Sequence, residues 1–523
     1  MSMSFVNSTQ RVAAQRLNDH LDAGVRSRTL QRQEMSTGRL RFVALGVIAA
    51  TAMLGLVAGS TWAQAPASGK EEAQNMRLVG YADLQGRSAY HPTIAQQGSR
   101  WIAYVGHHGG KHRNPLTGRD EDNGTSILDV TDPKQPRQIA HIPGEPGLAE
   151  QGGGQMVRIC AGKDLPRADK SKIYLLRTFG NVAHEIWDVT APEKPVVVTR
   201  ITGGIVDTHK NFWECDTGIA YLVSGAPGWK TRRMTQVFDL GDPSKPRHIR
   251  DFGLVGQEPT APESKQARDY ELHGPIRVGN RIYFGYNTFL DGVVQIVDRD
   301  KLLRGNPAVK NPFEPTPENL TYPVVNTIFT SPRLGAHTTF PVIGMEVEEF
   351  AKNSEGRTRD LLIVTNESLR NECQENRQMM YVVDITSETK PWGVGSFQVP
   401  EASGNFCSRG GRFGTHSSNE NMTPIYYKRI VFLAYFNAGI RAVDIRNPWA
   451  PKEIGYYIPA VNERTDKRCI KVNGQDRCKV AIQTNNLDVD DRGYVYSVDR
   501  ANAGMHIMEL TGSARAIARF PAN

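Results

Sequence analysis

The chain has 523 residues, with 49 glycines, 30 prolines and 39% hydrophobic residues, a profile that fits many short strands joined by Gly/Pro turns and excludes a bundle of long amphipathic helices. Its formal charge of +8 falls to about +4 once residues 1–65 are set aside, because that segment holds seven arginines against three acids. So small a surplus, with no basic run interleaved with aromatics, argues against a nucleic-acid binder.

Residues 1–65 read as a secretory signal. Residues 42–59 form an apolar run behind Arg39 and Arg41, and the small residues Ala63, Ala65 and Ala67 follow it. The run is just long enough to span a bilayer. Its Ala/Gly/Thr content and the small-residue exit favour cleavage instead, after Ala63 or Ala67, since Pro66 disfavours a cut behind Ala65. Met35 is an alternative start that gives a leader of ordinary length. No twin-arginine pair precedes the run, so export is expected in the unfolded state, with any cofactor loaded outside the cytoplasm. The mature chain, 66–523, is then expected in the periplasm or secreted, with no stable membrane span.

A strand ending in an acid recurs seven times. The acids are Asp129, Asp188, Asp239, Asp298, Asp384, Asp444 and Glu509, spaced by 59, 51, 59, 86, 60 and 65 residues. Four copies run on into Pro-x-x-Pro: Pro133/Pro136, Pro192/Pro195, Pro243/Pro246 and Pro448/Pro451. Fifty to sixty residues accommodate four short strands and their turns, which is one propeller blade. The fold expected is all-β: a single seven-bladed β-propeller of four-stranded antiparallel blades, with two β-sandwiches as the alternative. The long interval holds an insertion in the Pro/Asn-rich stretch 305–323. The acids are expected to bond backbone amides of their own turns. Either the strand 76–82 or the tail 514–520 closes the ring.

The copies followed by Asp-Pro-x-x-Pro, as in Val130-Thr-Asp-Pro-Lys-Gln-Pro136, resemble the LVIVD-repeat family of exported bacterial and archaeal proteins over roughly 76–511. That resemblance implies a β-propeller outside the cytoplasm and no settled activity, so function has to come from the site.

Histidines recur where the inner strands should begin: His91, His209, His273, His337 and His416, in blades 1, 3, 4, 5 and 6. Blade 2 has Gln155 there, and blade 7 has Asn485 and Asn486. In a propeller these starts and the B–C loops meet on one face, which adds His107, His108, His112, His184, Tyr286, Asn287, Asn366, Glu367 and Asn437. Several neutral imidazoles aimed at one axis suit Fe or Cu, with Zn also compatible. Glu367 or Glu271 could orient them. Carotenoid-cleaving oxygenases and methanethiol oxidases use axial histidines in this way, an analogy of architecture without shared motifs. The competing reading is a wet channel lining.

Two functions follow. One is a metal-dependent oxidoreductase or oxygenase acting on a small apolar or aromatic substrate. His209, His273, His337, His416 and His91 bind the metal, His91 and Glu367 serve acid–base roles, and Trp229, Phe289 and Phe436 favour an apolar guest. The other is a non-catalytic surface scaffold for a protein or glycan. The run Asp488-x-Asp490-Asp491-Arg-Gly493 hints at calcium, although a tight A–B turn explains it better. No Gly-x-Ser-x-Gly elbow, Walker loop or dinucleotide fingerprint occurs.

All six cysteines lie beyond the signal, as expected of disulfides in an exported chain. Cys469 and Cys478 bracket the hairpin signal Asn473-Gly474 and are expected to pair. Cys373–Cys407 and Cys160–Cys215 are the remainder.

Overall fold

The computed structural model describes residues 69–264, 269–287, 291–331, 333–347 and 357–519. The expected signal, 1–65, and Phe289 lie outside them. The chain forms a seven-bladed β-propeller. Each blade is a four-stranded antiparallel sheet, with a fifth strand, Glu72–Gln74, on blade 6 and a side strand, Ala149–Gly154, on blade 1.

The inner strands run from Ala89–Gln97 in blade 1, through Val157–Ala161, Asn211–Trp213, Glu271–Val278, Thr338–Glu346 and Ser417–Ser418, to Thr484–Val489 in blade 7. Second strands such as Ile219–Ser224 and Ile430–Ala434 are buried at every position, because each blade lies between two neighbours. Outer strands face water, and Val196 and Val197 are exposed. Seven apolar clusters form the core, one between each pair of adjacent blades.

The repeat acids fix the turns. The Oδ1 atoms of Asp129, Asp188, Asp239, Asp384 and Asp444 each accept from the amide two residues on, at 2.9–3.0 Å. Asp298 instead caps the helix Arg299–Arg304, accepting from the Lys301 amide. That helix and a second, Pro317–Thr321, make up the insertion between the third and outer strands of blade 4. Glu509 pairs with Arg77 and Arg515.

The N-terminal segment closes the ring. Met76–Ala82 pairs with Met505–Leu510 as the outer strand of blade 7, in register Met76↔Leu510. The tail turns into a short helix, Gly512–Ile517. Three disulfides form: Cys160–Cys215 joins blade 2 to blade 3, Cys373–Cys407 links two loops, and Cys469–Cys478 crosses the hairpin of Lys467–Val472 and Gln475–Val480. Asn473 and Gly474 supply its turn, both at positive φ (50° and 81°). No helix among the described residues is long and apolar enough to cross a membrane.

Candidate metal centre

Four of the five expected histidines meet at the propeller axis. Ring centroids of His209 and His273 are 5.1 Å apart, those of His273 and His337 3.2 Å, and those of His337 and His416 4.4 Å. Tyr90 completes the circle, 6.1 Å from His416 and 5.4 Å from His209. Its hydroxyl lies 3.1 Å from Nε2 of both His209 and His273.

His91 is not in this circle, which corrects the expectation for blade 1. A β-bulge explains the change. Ala89 pairs with His107 and His91 with Gly106, which leaves Tyr90 as the extra residue, turned to the axis. The same bulge leaves His273 unpaired in blade 4, between Leu272 and Gly274, and Asn485 unpaired in blade 7, between Thr484 and Asn486. Tyr90, His273 and Asn485 are therefore equivalent. His91 is buried one layer along the channel, in the field of Glu420, Arg158 and Lys210. Glu420 from blade 6 forms ion pairs with Arg158 of blade 2 and Lys210 of blade 3. These pairs brace the channel below the imidazoles.

All four axial histidines are buried, with 1–4% exposure. Burial drives each far below the usual imidazole range, helped at His209 and His416 by nearby arginines, so they are neutral. Two have their Nδ1 atoms engaged: that of His416 donates to the Asn485 carbonyl, and that of His337 lies 3.0 Å from the Thr338 hydroxyl. This arrangement turns an Nε2 lone pair inward, as a metal ligand needs. Nε2 of His337 is buried without a hydrogen-bond partner. Glu367 Oε2 lies 3.9 Å from it, and Glu367 Oε1 lies 3.7 Å from Nε2 of His416. The ligand atoms of His337, Glu367 and His416 fall within 4.8 Å of one another. Burial raises the Glu367 carboxyl against the pull of Arg412 and Arg500.

The circle forms the floor of a cavity of about 210 Å³, walled by Glu150, Arg232, Arg233, Glu271, Glu367, Arg412 and Arg500. A second space of about 360 Å³ adjoins it, sharing Glu150, Arg412 and Arg500 and adding Arg468 and His108. His108 packs edge-on to Tyr90 at 5.1 Å and contacts Arg500. Sequence reasoning missed Tyr90 and these arginines. Glu271 lines the cavity but is tied to Arg232 and Arg233.

Other expected positions bond or pack within the fold, His112 also lining the second space. His107 bonds Ser126, and His184 is fully buried in blade 2. His112 bonds Asn123, while Tyr286 donates to Gln295. Asn366 bonds the Gly335 carbonyl, and Asn437 those of Phe406 and Gly410. Gln155 donates to the Glu150 carbonyl. Trp229 belongs to the core between blades 3 and 4. Phe436 packs 5.2 Å from His416 and is fully buried. Asp490 accepts from the amides of Arg492 and Tyr494, a tight turn between the first two strands of blade 7.

No family model and no curated protein matches the chain. Among solved structures it is similar to Chaetomium thermophilum Raptor, at 10% identity and a TM-score of 0.49, over 85% of this chain and 30% of that one. It is also similar to the Myceliophteria thermophila Cps50 (Swd1) β-propeller domain, at 8% identity and a TM-score of 0.44, over 83% of this chain and 98% of that one.

Proposed function

We propose that the chain is an exported propeller of the LVIVD-repeat kind that binds one transition metal, Fe or Cu, at its axis and uses it in an oxidoreductase reaction. The observation that carries this reading is the meeting of four neutral, buried imidazoles from the consecutive blades 3 to 6. His209, His273, His337 and His416 are the nitrogen donors that such ions prefer, and the metal would supply redox chemistry. Around it the protein's own groups have separate tasks. Glu367 holds or releases a proton beside two ligands. Tyr90 bridges His209 and His273. The Glu420 ion pairs brace one end of the channel, so a substrate enters from the arginine-lined mouth. Three disulfides support a place in the periplasm or outside the cell.

Elemental analysis of protein expressed in the periplasm tests the metal. About one ion per chain is expected, lost in the double variant His273→Ala/His337→Ala. Metal-free protein whose stability ignores both changes would leave only a binding scaffold. Turnover tests the reaction: the metal-loaded chain should consume an oxidant with an added reductant, and the double variant should not.

A further inference from the structure

We propose that the axial site takes a small organic acid, whose carboxylate is held by Arg412 and Arg500 beside the imidazoles. This rests on the metal reading above and names the substrate class for it. An apolar aromatic guest, expected from the loop aromatics, does not suit the cavity. Of those aromatics, Trp229 is in the core and Phe436 is fully buried behind Arg412 and Arg500. The walls instead carry four arginines and four acids beside Leu272 and Leu369.

The charged groups sort onto two walls. On one wall Arg232 and Arg233 are matched by Asp207, Glu150 and Glu271 in a closed set of ion pairs. On the other wall Arg412 and Arg500 face Glu367 and lie in the field of Glu150, while Arg468 lies in the field of Asp466 and Asp499. Arg412 Nη1 reaches Glu367 Oε1 at 3.1 Å, and Arg500 approaches the same oxygen at 3.8 Å. Arg468 pairs with Asp466 at 3.6 Å and donates to the Arg500 carbonyl. Four arginines and four acids line the cavity, so its own charges balance, and a divalent ion held by neutral imidazoles would bring two positive charges that an anion beside Arg412 and Arg500 would offset.

The geometry favours a carboxylate. Arg412 and Arg500 both pack over the ring of Phe436, at 5.2 and 5.9 Å, which keeps the two guanidinium groups side by side. A planar guanidinium fork matches a planar carboxylate. The cavity of about 210 Å³ admits only a small molecule.

Titration calorimetry on the full mature chain tests this, with metal content measured on the same sample. The probes are acetate and benzoate against acetamide and benzamide, which share their shapes without the charge. The acids should bind and the amides should not. Arg500→Gln and Arg412→Gln should each weaken acid binding at least tenfold, with metal content and melting temperature retained, and Arg500→Lys should recover part of the loss. Equal binding of acid and amide overturns the proposal, and that comparison needs no variant. Acid binding unchanged in both glutamine variants also overturns it. Metal-free protein that still binds acids through these arginines keeps the anion pocket and removes the metal reading. Metal-loaded protein indifferent to probe charge does the reverse.

Discussion

The Tyr90 hydroxyl lies 3.1 Å from Nε2 of His209, so blade 1 gives the axial circle a phenol where an imidazole was expected. The neighbouring His91 is sent one layer down, toward Glu420 and Lys210. The two residues should then respond differently to mutation. His91→Ala should keep its metal, because the side chain is not among the axial groups. Tyr90→Phe should also keep it, since four imidazoles remain, but it removes the hydroxyl that lies beside His209 and His273 and so changes the ion's surroundings. The check is metal content with the visible or electron paramagnetic resonance spectrum. Spectra should shift in Tyr90→Phe and stay unchanged in His91→Ala. Loss of metal in His91→Ala would place that histidine back among the ligands.

Glu420 is the most consequential acid outside the circle. It is almost wholly buried, and burial alone would raise its carboxyl, yet Lys210 and Arg158 overcome that and hold it well below the usual range. Lys210 extends over Gly274 of blade 4, where a Cβ would sit 3.1 Å from its stem. Glu420→Ala leaves two cations buried without their shared partner. Removing one member of a buried pair costs about 3–5 kcal/mol. Urea denaturation should show a loss of that order. A loss under about 1 kcal/mol would mean that water reaches the pair and the channel is open below the imidazoles.

Much of this fold was legible because each blade needs the same local device. An aspartate that accepts from the amide two residues on ends a strand in the same way wherever it occurs, so Asp129, Asp188, Asp239, Asp384 and Asp444 can be counted along the chain. The four axial histidines were legible for a related reason, since they begin equivalent strands. Blade 1 was read one residue out because a bulge adds a residue without any mark in the local pattern. The arginines were not legible. Arg412 precedes an inner strand, Arg468 lies on a hairpin and Arg500 follows a second strand, so they share no offset. They meet because blades 6 and 7, and the hairpin between them, are neighbours in the ring. Ring closure itself depends on Met76–Ala82 pairing with a strand more than 400 residues away, and the sequence offered the tail as an equal candidate.

Asp488 makes a pH-dependent contribution to stability. Burial raises its carboxyl to about 7, although the amides of Ile94 and Val489 favour the charged form. In the unfolded chain an aspartate titrates near 3.9. Between those values the native state holds a proton that the unfolded state has released. The contribution is therefore full below pH ~4 and is lost as pH rises through ~7. Its size is of order 4 kcal/mol, from about three units at 1.36 kcal/mol each. Asp488→Asn cannot titrate. The stability of the variant relative to the native chain should therefore climb between pH 4.5 and 8, read by denaturant midpoints. Taking the difference cancels the other titrating groups, including Asp499, which burial raises to about 6. A difference that stays constant with pH would contradict the assignment.

The three disulfides should not contribute equally. A cross-link stabilises mainly by restricting the unfolded chain, more so for a longer loop. Cys160–Cys215 spans 55 residues, Cys373–Cys407 spans 34 and Cys469–Cys478 spans 9. The loop relation gives about 4 kcal/mol for the first two and about 2.5 kcal/mol for the third. The native contacts point the same way. Cys160–Cys215 fastens blade 2 to blade 3 around Leu165, Trp213 and Leu240, so its loss also loosens an interface. Cys469 and Cys478 already face each other in the backbone register of an exposed hairpin, so the chain there is held without the bond. Replacing each pair with serines and measuring unfolding in denaturant should give the largest loss for Cys160/Cys215 and the smallest for Cys469/Cys478. The reverse order would mean that the hairpin carries stability which neither its loop length nor its exposed surface can supply.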